Sequence, residues 1–274
     1  MQSYRLIVSD LDGTLLDGKM ETGEKNDAAI RAFFERGILF VPSSGRTCYE
    51  IPESVRENPY VRYVIYSNGT VVYDKKEKKA VISNEISESV SKKIVNISKK
   101  YDIYVSAHLN GRANVPRILE KDDAEHYQIN EYYRSLLNLG ECYGDLDALE
   151  ARCGTVEAFV LFFHDDGELA LCGEELSRIP EILVTSSISH NLEIVSASAG
   201  KGRALTALAD MLGIKREEII SIGDSTNDVS MFEASGLSLC AAGGNEEARR
   251  SADMIICPCE AGVADHVLKN ILNA

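Results

Sequence analysis

Two carboxylates two residues apart, Asp10 and Asp12, close the first apolar run of the chain, in Asp10-Leu11-Asp12-Gly13-Thr14. In extended chain, side chains two apart face the same way, and Gly13 allows a sharp turn just after them. Such carboxylates repel each other unless a cation or a proton sits between them. The run therefore predicts a metal ion, one shared proton, or both. Asp-Gly is also a common turn dipeptide, so taken alone the run reads as readily as a turn or a helix cap.

Three further segments bring similar side chains to the edges of other runs. Ser43-Ser44-Gly45-Arg46 follows an apolar stretch and offers a hydroxyl and backbone N–H groups ahead of an expected helix, a setting that suits an anion. Gly223-Asp224-Ser225-Thr226-Asn227-Asp228 follows another, with two acids and, in Asn227, neutral donors. Lys201, in Gly200-Lys201-Gly202, opens a helix beside two glycines. Each segment alone reads as a cap or a solvated surface. Together they agree better with one phosphate-and-metal site than with four separate caps.

The elements that must position these residues alternate at both ends of the chain. Residues 5–9, 38–42 and 61–66 read as strands around a helix at 26–36, which stops at Gly37. From Lys201 the alternation resumes, with helices at 202–212, 229–234, 246–251 and 263–272 and strands at 218–222, 237–241 and 254–257. This order favours a doubly wound, parallel α/β sheet, whose ligand crevice lies at the C-terminal ends of the strands. The middle reads differently. A hairpin at 71–73 and 80–82 is followed by helices at 87–101, 122–139 and 169–179. Strands at 103–109, 156–163, 182–187 and 192–195 complete an α+β insertion with an antiparallel sheet. The expected division is a core of residues 1–82 and 191–274 interrupted by a second domain at 83–190.

Composition narrows the partners. The formal net charge is −14, which disfavours nucleic acid and anionic membranes and means that a phosphate site must carry its own local cation, for which a bound divalent metal is the usual device. No apolar run reaches the length that spans a bilayer, and the N-terminal run is too short for a signal peptide. The seven cysteines are scattered, so reduced thiols in the cytoplasm are expected. Cys257 and Cys259, the one close pair, have no second pair to complete a metal site.

Asp10-Leu11-Asp12-Gly13-Thr14-Leu15, Ser44-Gly45-Arg46, Lys201-Gly202 and Gly223-Asp224-Ser225-Thr226-Asn227-Asp228 together resemble the haloacid dehalogenase-like hydrolase superfamily, over roughly residues 1–80 and 190–274. About thirty residues separate Asp12 from Ser44, and more than a hundred separate Asn68 from Lys201. An α+β insertion in that second gap looks like the cap domain of the Cof-type branch (subclass IIB), and Ser67-Asn68-Gly69-Thr70 resembles its turn into the cap. The resemblance implies a Rossmann-like core and a cap that sets specificity. It implies Asp10 as a nucleophile forming an aspartyl-phosphate and Asp12 as general acid and base. Mg2+ would be held by Asp10, the Asp12 carbonyl and Asp224. Ser44, Gly45, Lys201 and Asn227 would bind phosphate, supported by Asp228 on Lys201 and by Arg46 and Asn68. The activity implied is hydrolysis of small phosphomonoesters, sugar phosphates among them. A phosphomutase of the same superfamily and a non-catalytic sensor of a phosphorylated metabolite are the alternatives. His108, Arg112, Arg117 and His190 are polar candidates in the cap. Two loops depart from the branch's pattern: Cys257-Pro258-Cys259-Glu260-Ala261-Gly262-Val263 lacks an expected Asn, and Ala241-Ala242-Gly243-Gly244-Asn245 replaces a Met-Gly-Asn-Ala pattern.

Overall fold

The computed structural model describes residues 4–186 and 188–273. The chain divides into two compact units, one holding the residues up to 46, 51–83 and those from 200 onward, the other 47–50 and 84–199.

The first unit begins with β1 (Leu6–Ser9), every residue of which is buried. A strand covered on both faces needs an unbroken apolar run, and this one has it. The helix Gly23–Glu35 buries Ala29, Ile30 and Phe33, and Phe33 stacks on Phe40 of β2 (Leu39–Pro42) at 6.1 Å. The chain then forms β3 (Tyr63–Tyr66), β4 (Val71–Asp74) and β5 (Lys79–Ser83). Here the expectation fails in part. β3 does not extend the parallel ladder: it pairs antiparallel with β4, and β4 with β5. Only the bridge between Ser43 and Ile65 runs parallel. The turn at Ser67–Gly69, with Asn68 left-handed at φ 53°, sends the chain straight back, and adjacency after a tight turn favours the antiparallel partner.

The second unit contains β6 (Ile103–Leu109), β7 (Arg112–Val115), β8 (Glu141–Cys142), β9 (Ala158–Phe163), β10 (Ile182–Thr185) and β11 (Asn191–Ser196). They form one sheet in the order β10-β11-β9-β6-β7-β8, antiparallel except where β7 meets β8. Helices Glu88–Ser98, Leu146–Arg152 and Asp166–Leu176 cover one face, with Ile94, Leu149, Phe159 and Leu176 in its core. Tyr104, Val115, Tyr127 and Phe162 build a second core. The helix expected at 122–139 is two, Lys121–His126 and Glu131–Leu137. Gln128 turns left-handed between them, and Asn130 caps the second by accepting from Tyr133 N. Strand β11 pairs with β9 and β10, so this unit runs on to 199 rather than ending at 190. Ser187, at the end of the strand expected at 182–187, lies outside the described residues.

The chain re-enters the first unit through helix Lys201–Leu212. It buries Ala204, Leu205, Leu208 and Ala209 against Leu6, Val8 and Val41. β12 (Ile219–Gly223), β13 (Leu237–Cys240) and β14 (Met254–Ile255) follow. The completed sheet is parallel, ordered β14-β13-β12-β1-β2. From β1 the chain steps outward to β2, and from β12 it steps the other way to β13. The switch point therefore lies between β1 and β12, where the ends of a doubly wound sheet open a crevice. No described helix is long and apolar enough to cross a membrane.

Candidate active site

Asp10 leaves β1 at that switch point. Its backbone N donates to Ile222 O on β12 at 2.9 Å, and Ser43 N donates to Ser9 O at 2.8 Å. Three strand ends are thereby tied together: Asp10 follows β1, Ser43 and Ser44 follow β2, and Asp224 follows β12.

The centre of the site is a buried cation between acids. Lys201 is 1% exposed in its side chain, with Nζ 2.5 Å from Asp10 Oδ1 and 2.7 Å from Asp228 Oδ1. Burial pulls the lysine downward, but Asp10 and Asp228 outweigh it and hold the ammonium well above its usual range. Asp10 is raised as well, but for a different reason. Burial raises it well above the carboxylate range against the pull of Lys201, and Asp228, Asp224 and Asp12 raise it further. Asp224 is pushed up to about 6 by burial and by Asp228, with Thr14 opposing. Thr14 Oγ1 donates to Asp224 Oδ1 at 3.0 Å. The other oxygen of Asp228 is committed to the backbone, accepting from Asp224 N at 3.0 Å and Ser225 N at 3.1 Å. Asp228 thus orients Lys201 and closes the loop after β12 with one side chain.

Asp12 stands apart from this cluster. Arg46, nearly buried, grips it with two hydrogen bonds, Nη2 to Oδ1 at 2.7 Å and Nε to Oδ2 at 2.9 Å. The Asp12 side chain remains 43% exposed. The two carboxylates of the first motif therefore have a cation each, one from helix Lys201–Leu212 and one from the segment after β2. A third group ties the remaining residues. Asn68 N donates to Ser44 O at 3.0 Å, and Asn68 Oδ1 accepts from Asn227 Nδ2 at 3.1 Å. Gly45 passes so close that a Cβ there would stand 3.0 Å from Asn68 Oδ1. Ser44 is buried, and its backbone N–H is not free for an anion: it donates to Ile65 O, while Arg46 N donates to Ser44 Oγ. No helix starts there either, because the next regular element is the short turn Cys48–Glu50 of the second unit.

Acids at this spacing suit a hard divalent cation. Asp10, Asp224 and Asp228 each place an oxygen within 4.8 Å of the others, and all are oxygen donors, the set that Mg2+ prefers. Gly13 keeps the space clear. Its φ is +74°, and a Cβ on it would stand 2.6 Å from Asp224 Oδ2. With Asp228 spent on Lys201 and the backbone, Asp10 and Asp224 are the side chains that fit an ion.

Thr14 and Ser230 were not singled out by sequence. Thr14 fixes Asp224, and Ser230 Oγ accepts from Gly202 N at 3.1 Å, seating the helix that carries Lys201. Thr14 is the last residue of the first motif itself, a usable signal; Ser230 had none. The second-unit candidates have settled surroundings. His108 is buried, and burial pulls it down against Glu50 and Glu193. The Arg112 guanidinium lies 3.5 Å over the Tyr49 ring. Arg117 pairs with Asp123 through two hydrogen bonds. His190 Nδ1 lies 2.8 Å from Asp166 Oδ1 without hydrogen-bond geometry. Cys257 and Cys259 are half-buried free thiols.

Comparison with known proteins gives the family and the fold. The family profile of haloacid dehalogenase-like hydrolases matches residues 7–267. The 5-amino-6-(5-phospho-D-ribitylamino)uracil phosphatase YwtE of Bacillus subtilis is 28% identical over 246 residues, covering 85% of each chain. The phosphatase YwpJ of the same organism is 25% identical over 287 residues, covering 98% of this chain and 100% of its own. The crystal structure of a haloacid dehalogenase-like hydrolase from Bacteroides thetaiotaomicron superposes with a TM-score of 0.83 at 25% identity, covering 97% of this chain and 99% of that one.

Proposed function

Since the chain belongs to the haloacid dehalogenase-like hydrolases, we propose that it is a Mg2+-dependent phosphatase of small phosphomonoesters, sugar phosphates in particular, working through a phosphorylated Asp10. The observation that carries this reading is the division of labour between the two first-motif acids. Asp10 is buried and aligned by Lys201, as a nucleophile must be. Asp12 is half-open, its side chain 43% exposed to solvent and held by Arg46.

An Asp10 oxygen attacks phosphorus and the bond to the leaving oxygen breaks. Asp12 gives its proton to that oxygen, then takes one from the water that attacks the aspartyl-phosphate, and the Asp10–phosphorus bond breaks to release phosphate. Lys201, the Ser44 hydroxyl and the Asn227 amide are assigned to the phosphoryl oxygens, with Gly45 shaping the turn beside them. Asp228 keeps Lys201 pointed inward, Arg46 holds Asp12, and Asn68 holds Asn227. A Mg2+ ion bound by Asp10, Asp224 and the Asp12 carbonyl supplies charge that offsets the repulsion between nucleophile and phosphate. The choice of leaving group is assigned to the inserted second unit. YwtE's phosphorylated ribityl substrate makes a phosphosugar-like compound a sensible first member of any panel.

The test is phosphate release from a broad panel of phosphorylated metabolites with Mg2+, using Asp10→Asn as the blank. The expected result is turnover of at least one compound that a chelator abolishes, Mg2+ restores and Asp10→Asn lacks. Wild-type rates from a clean Asp10→Asn preparation would overturn the mechanism.

A further inference from the structure

Three side chains from separate segments of the second unit meet in a cluster that shares no residue with the site described above. Asp102 lies in the turn before β6, His126 ends helix Lys121–His126, and His164 directly follows β9. A ligand atom of each lies within 4.8 Å of those of the other two. His126 Nε2 is 3.0 Å from Asp102 Oδ2, and His164 Nδ1 is 3.9 Å from the same oxygen. The two imidazoles stack with centroids 4.7 Å apart and planes 12° from parallel. The surroundings fix them. The Tyr127 hydroxyl donates to Asp102 Oδ1 at 2.9 Å, leaving Oδ2 to the histidines. Asp102 N donates to Glu168 Oε2 at 3.0 Å, and Gln128 Nε2 donates to His164 O at 3.0 Å.

We propose that Asp102, His126 and His164 bind one divalent transition-metal ion of the Zn2+ class, with solvent completing its shell. Ligands about 2.1 Å from a tetrahedral ion stand about 3.4 Å apart, and the two contacts to Oδ2, 3.0 and 3.9 Å, bracket that spacing. Imidazole with carboxylate selects Zn2+, Co2+, Ni2+ or Cu2+ over Mg2+, whereas the Asp10 and Asp224 oxygens favour Mg2+. An Asp102–His126 ion pair alone accounts for one imidazole; the second stacks on it with Nδ1 3.3 Å from the Asp102 carbonyl oxygen and 3.9 Å from Oδ2, so both imidazoles turn a nitrogen to the same residue. Tyr127 is the outer-shell group that orients the carboxylate, through its hydroxyl on Asp102 Oδ1. The side chains are 54%, 46% and 33% exposed for Asp102, His126 and His164, open to an ion from solvent. The net charge of −14 attracts cations to such a surface.

The experiment titrates the chelator-stripped full chain with Co2+ by visible absorption and with Zn2+ by calorimetry, in excess Mg2+ so that the all-oxygen site is occupied. One ion per chain, with nitrogen–oxygen ligand-field bands, is expected. His126→Gln, His164→Gln and Asp102→Asn should each weaken it by about 100-fold, and Tyr127→Phe by about 10-fold, while Cys257→Ser leaves it unchanged. Melts followed by circular dichroism identify any variant that fails to fold, and Tyr127→Phe then carries the test. No Co2+ or Zn2+ uptake, a thiolate charge-transfer band, or uptake untouched by these substitutions overturns the proposal.

Discussion

Lys201→Met isolates the charge at the centre of the site. The methionine keeps the length of the side chain and removes its ammonium. Asp10 Oδ1 and Asp228 Oδ1, at 2.5 and 2.7 Å from Nζ, then face each other across apolar atoms. At an effective dielectric of about 20, each contact is worth about 6 kcal/mol gross, most of it offset by desolvation. Removing one partner of such a buried group costs about 3–5 kcal/mol net. For a domain of this size that is a fall of about 6–20 °C in Tm. One acid must take up a proton, and burial already drives Asp10 in that direction. Phosphate release should therefore drop by at least about 10²–10³-fold, as for a lost oxyanion donor. The assay is a thermal melt by circular dichroism, the chain having no tryptophan, run in chelator, beside phosphate release with Mg2+. Asp228→Asn in the same background removes the second charge and keeps an oxygen for Asp224 N and Ser225 N. The double variant should regain about 1–3 kcal/mol of stability and no activity. A Lys201→Met protein that melts within about 1 kcal/mol of wild type, or a double variant that regains nothing, refutes the reasoning.

Three other substitutions test separate contacts. Gly202→Ala, which in an ordinary helix gains about 1 kcal/mol, should instead lose about 1–3 kcal/mol by overpacking, because its Cβ would stand 2.1 Å from Ser230 O; urea melts read the sign. Gly13→Ala should cost about 1–2 kcal/mol for its left-handed backbone and weaken Mg2+ binding, measured by calorimetry, since the new methyl meets Asp224 Oδ2 at 2.6 Å. Asp74, which accepts from Arg62, Lys76 N and Glu77 N, is raised by burial but held below its usual range by those bonds. Asp74→Asn should cost about 1–3 kcal/mol at neutral pH. Because the folded value is the lower one, that gap should stay full above the ordinary carboxylate pKa of about 4 and close as pH falls through the folded value.

Much of the core was legible because its signals are local. An unbroken apolar run marks a strand buried on both faces, as in β1 and β12, and a 3.6-residue period marks Lys201–Leu212. Sequence therefore named the strand ends that carry Asp10, Ser44 and Asp224, and the sheet makes those ends neighbours. It misread β3, because run and composition state that a segment is a strand and leave its partner open. It joined two helices into one across Gln128, because the apolar period continues through a break made by a single left-handed residue. What only the tertiary structure decided is which side chains meet. Arg46 takes Asp12, Lys201 takes Asp10 from 191 residues away, and Asn68 takes Asn227 from 159. The meeting of Asp102, His126 and His164 had no motif at all. Pairings of this kind depend on register and on how the chain closes through space, and neither leaves a period in the sequence. The residue types and their places at strand ends belong to the sequence; the charge each acid faces, and hence its role, belongs to the fold.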